Sequence, residues 1–320
     1  MELSTIGTPI MWIGFVAFVL IMLAIDLGVF HRKAHDVTLK EAALWSVVWV
    51  SLAAVFGAFI YHFFGPTSAL EFTTGYLIEK ALAVDNIFIF LVIFSYFAVP
   101  TAYQHRVLFW GVLGALLMRA GFILLGSALL SRFHWVLYIF GGILLITSVK
   151  LLLQRGETYE PGKNPVVRLF RRVIPMTHEL HDGKLTVALG GRRLATPLML
   201  VLVVIEATDL VFAVDSIPAI FAVTRDPFIV FTSNIFAILG LRSMYFLLAG
   251  VMGRFHHLKT GLALILAFVG AKMLLLDIVK IPIGVSLGVV AGLLGASIGA
   301  SLLWPRPEAL PHDPSARHPA

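Results

Sequence analysis

Apolar runs of about 20 residues, separated by short polar stretches, fill most of this chain, and runs of that length cross a bilayer as helices. Nine spans are predicted, at roughly 8–30, 41–64, 69–99, 104–130, 134–153, 197–223, 227–253, 258–279 and 281–303. The third is long enough to be broken rather than continuous. Between the fifth and sixth lies a polar segment, 154–196, in which "HDGKLTVALGGRRLA" reads as two short strands around Gly190-Gly191, a small hairpin. The Pro-rich stretch 304–320 reads as a disordered tail. The expected fold is all-α, a polytopic transmembrane helix bundle. It divides into a two-span segment (1–68), a three-span unit (69–153), the polar loop (154–196), a second three-span unit (197–279), a ninth span (280–303) and the tail (304–320).

Composition agrees with that pattern: 59% of residues are hydrophobic and 13% charged, where a soluble domain carries about a quarter charged. The absence of cysteine excludes disulfides, thiolate catalysis and thiolate metal sites. The net charge of +6 does not point to nucleic acid, because most basic residues flank the spans. One set of alternating loops holds Arg32, Lys33, Lys40, Arg106, the basic run Arg168 to Arg172, Arg192, Arg193 and Arg254; the opposite set holds only Arg132, Arg225 and Lys280. The positive-inside rule then places the N-terminus outside and the C-terminus in the cytoplasm. The N-terminal stretch "MELSTIGTPIMW" has no basic n-region, so the first span is expected to be retained rather than cleaved.

The polar residues inside the spans are not scattered. "EKALAVDNI" (79–87) recurs as "DLVFAVDSI" (209–217), "MRAGFILLG" (118–126) as "LRSMYFLLA" (241–249), Arg132–His134 as Arg254–His256, and Lys150 as Lys272. The repeated units are spans three to five and six to eight. Three crossings is an odd number, and the connecting loop returns to the side it left. The second unit is therefore expected to be inserted upside down. Inverted repeats with acidic, interrupted helices at matching positions characterise secondary transporters, whose sites lie near the midplane. A duplicated scaffold that transports nothing is the alternative.

Asp26, Glu79, Asp85, Glu206, Asp209 and Asp215 lie within spans, as do Lys80, Arg119, Lys150, Arg242 and Lys272. Each costs about 2.5–3.5 kcal/mol at a helix centre, so they must face one another or a hydrated cavity. Lys150 and Lys272 are expected to snorkel from helix ends. Glu79 and Asp85 are six residues apart, as are Asp209 and Asp215, which on a straight helix separates each pair by about 120°. They would converge on one ion only if the helix unwound between them, and Pro218, which cannot donate to the Val214 carbonyl, supplies a cause in the second copy. Glu206 and Asp209 share a helix face.

Carboxylates from Glu79, Asp85, Asp209, Asp215 and Glu206, with freed carbonyls, Asn86 and Ser216, make an all-oxygen shell suited to hard divalent cations such as Mg²⁺, Ca²⁺ and Mn²⁺. Arg119 and Arg242 cannot bind a cation. They are expected to pair with the carboxylates, as partners when the ion leaves, with Asp26 and Asn234 as further members of the charge set. Static ion pairing throughout is the alternative. The histidine pairs His31/His35, His178/His181 and His256/His257 have spacings that alone argue weakly for metal. No zinc-protease helix, nucleophile elbow or P-loop occurs, so the protein is not expected to be an enzyme.

The stretches "EKALAVDNIFIF", "AIDLGVFHRKAHDVTLKEA" and "ATPLMLVLVVIEATDLVFAVDSIPAIFAVTRDPFIVFTSNIFAILGLRSMYFLL" resemble the TerC family of integral membrane proteins in its long, nine-span form, from about residue 26 to 277. The resemblance implies a transporter related to the LysE-type exporters, and Mn²⁺ export from the bacterial cytoplasm with a link to alkaline pH. It also implies an association with tellurite resistance, and with membrane assembly in plant members. Carried over by position, the family's acids fall on Glu79, Asp85, Asp209 and Asp215, with Glu206 and Asn86 beside them. The expected function is thus export of a divalent cation, Mn²⁺ first, as substrate rather than resident cofactor, from a bacterial inner membrane, with proton exchange as an energy source. The alternative is a membrane scaffold or assembly factor linked to tellurite resistance.

Overall fold

The computed structural model describes residues 5–30, 38–153, 165–177, 179–189, 191–249 and 257–303, with the backbone alone at 26–30, 85, 88, 258 and 259. The chain is mostly helical. In order come α1 (Pro9–Phe30), α2 (Leu39–Tyr96), α3 (Thr101–Arg132), α4 (Val136–Leu153), α5 (Pro165–Val173), β1 (Thr186–Leu189), β2 (Arg192–Ala195), α6 (Pro197–Phe221), α7 (Pro227–Leu239), α8 (Leu241–Ala249), α9 (Leu258–Leu274) and α10 (Ile283–Leu303). Among the described residues six helical stretches are long and apolar enough to cross a membrane: α2, α3, α4, α6, α7 with α8, and α10. Two shorter apolar helices cover Pro9–Ile25 and Thr260–Leu274. Helices serve here because each satisfies its own backbone groups where no water can.

Local chemistry sets the breaks. The long α2 is interrupted at Gly65, whose φ of 86° a residue with a Cβ adopts only under strain, and Pro66 then opens the next helical segment with its fixed φ. This interruption divides the second and third predicted spans. Asp226 caps α7, its Oδ1 accepting from the backbone N–H of Phe228 (2.8 Å) and Ile229 (3.4 Å), with Pro227 as first helical residue. The same carboxylate accepts from Thr5 Oγ1 (2.8 Å) and Ile6 N (2.6 Å), so one side chain both starts α7 and ties down the segment before α1. β1 and β2 form an antiparallel hairpin pairing Thr186 with Ala195 and Leu189 with Arg192, and Gly191 takes a φ of 77° at the turn.

Two expectations are corrected. The seventh predicted span is not one helix, because Gly240 separates α7 from α8. Lys80 of α2 reaches this joint: its Nζ donates to the Ala237 carbonyl (3.2 Å) and lies 2.9 Å from where a Cβ on Gly240 would be. A cation thus caps a carbonyl near the C-terminus of α7, where the helix dipole favours it. The second correction concerns the helix carrying each acidic motif. Neither unwinds: α2 is helical from Glu79 to Asp85, and α6 from Asp209 to Asp215, with Pro218 accommodated near the end of α6.

α7 is the central helix, and most of its span together with α8 is buried. It packs on α2, α2 also packs on α6 and α8, and α3 packs on α6. α3 and α6 run parallel, since Gly111 meets Ile205 near one end and Gly126 meets Phe221 near the other. α4 and α9 cross backbone to backbone: a Cβ on Gly141 would lie 3.0 Å from the Gly270 carbonyl, and one on Gly270 would lie 2.9 Å from the Gly141 carbonyl. Two turns further along α4, Ser148 Oγ donates to the Ala263 carbonyl at 2.8 Å, so α4 and α9 are antiparallel. Phe15, Phe56, Phe72, Phe228 and Phe236 form an aromatic core between α1, α2 and α7.

Candidate intramembrane ion site

Arg119, on α3, is only 1% exposed and stands between α2 and α6. Its guanidinium takes Asp209 of α6 in a two-point grip, Nη2 to Oδ1 at 3.2 Å and Nε to Oδ2 at 3.4 Å. Its Nη1 donates to Glu79 Oε1 of α2 and to Ser216 Oγ at 3.2 Å. Asp209 and Ser216 share a face because seven residues make nearly two turns. The planar fork of arginine matches a carboxylate in a way lysine could not. Glu79 Oε2 is buried with no hydrogen-bond partner among the described residues. Two carboxylates face one cation, so with both ionised the cluster carries one uncompensated negative charge.

The motifs therefore meet, but through their first acids. Glu79 and Asp209 come together on Arg119, whereas Asp215 turns toward α4, its Oδ1 accepting from Thr147 Oγ1 at 2.7 Å with Lys150 within electrostatic reach. The six-residue offset explains this: on an unbroken helix it points the two acids of a motif about 120° apart. The side chains of Asp26 and Asp85 lie outside those described. Glu206 is half-buried on the face of α6 that carries Asp209, its carboxylate lying against Gly114 of α3 in space that a Cβ there would occupy. Asn86 and Asn234 are buried, at 2% and 0% exposed. Asn86 Nδ2 and both polar atoms of the Asn234 amide have no hydrogen-bond partner among the described residues. Arg242 is buried at the start of α8. Beside Asp209 a cavity of about 10 Å³, room for one water at most, is lined by Phe90, Gly111, Ile205 and Ile238.

Among the described residues no group of three His, Asp or Glu side chains is arranged to hold a metal ion, and Arg119 occupies the space between Glu79 and Asp209. His31, His35, His178 and His256 lie outside the described residues. Lys150 is exposed, but Lys272 does not snorkel: it is buried and donates to Ser286 Oγ of α10 at 2.9 Å. It lies within electrostatic reach of Glu71, which accepts from Thr224 Oγ1 at 2.7 Å. Sequence reasoning missed Glu71, although it falls inside the third predicted span. Gly114 and Thr147 were missed too: a glycine notch and a neutral hydroxyl carry no signal without their neighbours.

Fold and site together define a polytopic helical membrane protein with a buried arginine–dicarboxylate cluster at its centre. Residues 64–308 match the integral membrane protein TerC family, and the chain belongs to that family. It is 60% identical to an uncharacterized membrane protein of Myxococcus xanthus, over 94% of this chain and 95% of the relative. It is 54% identical to a protein of Escherichia coli K12 named "Putative membrane-bound redox modulator Alx", over 91% of this chain and 94% of the relative. An uncharacterized membrane protein of Rickettsia bellii is 42% identical, over 91% and 97%. No solved structure matches the chain.

Proposed function

We propose that the protein is a secondary transporter that exports a divalent metal cation, Mn²⁺, from the bacterial cytoplasm across the inner membrane, with protons as counter-ion. The observation that carries this reading is the convergence of Glu79 and Asp209, equivalent acids of two repeated motifs, on the single buried site at Arg119. Two carboxylates from different helices offer the hard oxygen ligands such an ion takes. Asp85, Asn86 and Asp215 add oxygen-bearing side chains on the same two helices, with Asp215 turned to Thr147 of α4 rather than to Arg119.

Nine spans, with the N-terminus outside and the C-terminus in the cytoplasm, and an inverted pair of three-span repeats, complete the proposal. The packing of α4 on α9 supports the inversion. The offset of 122 residues that relates Lys150 to Lys272 also relates Gly141 to Ala263 and Ser148 to Gly270. The contact between Gly141 and Gly270 therefore has its own counterpart in the contact between Ser148 and Ala263. Equivalent helices that are antiparallel and meet through equivalent contacts are related by a two-fold axis across their length, as inverted-topology repeats are.

Elemental analysis of cells with and without the protein tests the reading. Wild type should lower cellular Mn²⁺, and Glu79→Gln and Asp209→Asn should abolish that effect at unchanged membrane abundance. A static scaffold is the second reading, favoured by the four donor contacts that hold Arg119 in place. It requires that cellular Mn²⁺ be the same with and without the protein. The redox role in the name of the Escherichia coli relative would need a redox group other than a thiol here, since the chain has no cysteine.

A further inference from the structure

We propose that Arg119 is the site's built-in competitor, exchanging between the Glu79–Asp209 pair when the site is empty and Glu206 when the transported cation is bound. This rests on the transport reading above and assigns Glu206 to receiving the arginine rather than to ligating the ion.

The geometry supplies both ends of the exchange. Helical side chains lean toward the N-terminus of their helix. Because α3 and α6 are parallel, the Arg119 arm points along both helices toward their N-terminal ends, where it meets Asp209. Glu206 lies three residues, about 4.5 Å of helix rise, further in that direction. Its carboxylate rests in the notch at Gly114 and makes no hydrogen bond among the described residues. To exchange one carboxylate for another the guanidinium travels about one helical turn along α3 and also swings around it, because Gly114 lies five residues, about 140° of rotation, from Arg119.

Charge fixes which cation can displace it. With Glu79, Asp209 and Glu206 ionised and Arg119 protonated, the set carries a net charge of −2. A divalent cation between Glu79 and Asp209, with Arg119 on Glu206, neutralises both halves at once. A monovalent ion would leave one buried charge unpaired, which is costly in this environment. In the empty state Arg119 compensates only part of the pair, and the partnerless Glu79 Oε2 is the visible sign of that deficit. The return of the arginine then expels the ion.

The test is Mn²⁺ binding to purified full-length protein in nanodiscs, read from the electron paramagnetic resonance signal of free Mn²⁺. Glu206→Gln should weaken binding about tenfold, because the arginine loses its second position and the binding-competent fraction falls. Arg119→Met should tighten binding, and adding Glu206→Gln to Arg119→Met should change nothing further. An equal loss from Glu206→Gln in both backgrounds would make Glu206 an ion ligand and overturn the exchange; so would no loss in either. Should Arg119→Met not yield folded protein, Gly114→Ala takes its place: it fills the notch, should weaken binding like Glu206→Gln, and should not add to it. Additive losses overturn the exchange. Wild type that binds no Mn²⁺, or binds it unchanged in Glu79→Gln and Asp209→Asn, would overturn the transport reading at this site. Binding that needs both acids but shows additive Glu206→Gln effects would overturn only the exchange.

Discussion

Replacing Arg119 by methionine removes the only cation that the described side chains place between Glu79 and Asp209, while keeping an unbranched arm of similar bulk. Breaking a buried ion pair by deleting one partner costs about 3–5 kcal/mol, because the charge left behind has neither water nor counter-ion. Here two carboxylates are left behind, so the single change should fall at the upper end of that range. The hydrogen-bond inventory ranks the other variants. Asp209 takes two of the four donor contacts and Glu79 takes one, so Asp209→Asn should cost more than Glu79→Gln, and both less than Arg119→Met. Neutralising all three together removes charge and counter-charge, and should recover stability to within about 1–2 kcal/mol of wild type, since a buried charged cluster contributes little net stability over a neutral one. Thermal unfolding of the purified protein in detergent, without divalent ions, measures the series. Arg119→Met as stable as wild type, or a triple variant as unstable as Arg119→Met, would refute the reasoning.

Gly270→Val and Gly141→Val should each destabilise the protein by about 1–3 kcal/mol, since the new side chain meets a backbone carbonyl that cannot step aside, whereas Gly142→Ala, with nothing within 4 Å, should stay within about 0.5 kcal/mol in the same unfolding assay. Asp226→Ala should cost about 1–2 kcal/mol through loss of the α7 cap, and should make the segment around Thr5 and Ile6 the first site of limited proteolysis. Reporter fusions after Arg32 and after Arg172 should both report cytoplasm, and a periplasmic signal at either would contradict the proposed inversion.

The helices were legible because lipid demands long apolar runs, and the division of α2 was legible as the gap between two such runs, although the Gly65-Pro66 pair that makes it was not singled out. The break at Gly240 was not. A glycine within an apolar span is ordinary, and what marks this one is Lys80, distant in sequence and visible only once α2 packs on α7. The charged set was readable as a list, since each member is costly in a membrane, but its pairing was not. The six-residue spacing within each motif invited convergence through an unwound helix. The helices instead stay regular, and convergence occurs between the motifs, through an arginine that neither contains. Glu71 lay inside the third predicted span near its start, where an acid resembles a headgroup residue; its links to Thr224 and toward Lys272 required the fold.

Glu79 and Lys80 are neighbours on α2, about 100° apart around its axis. One grips the arginine on α3, and the other grips the joint between α7 and α8. A rigid helix cannot turn one without turning the other, so α2 works as a camshaft. Any roll that draws Glu79 away from Arg119 also swings the lysine across the Ala237 carbonyl and Gly240, and any bending at that joint is returned as torque on the acid. The Glu79–Arg119 pairing and the angle between α7 and α8 are thereby geared through two adjacent residues.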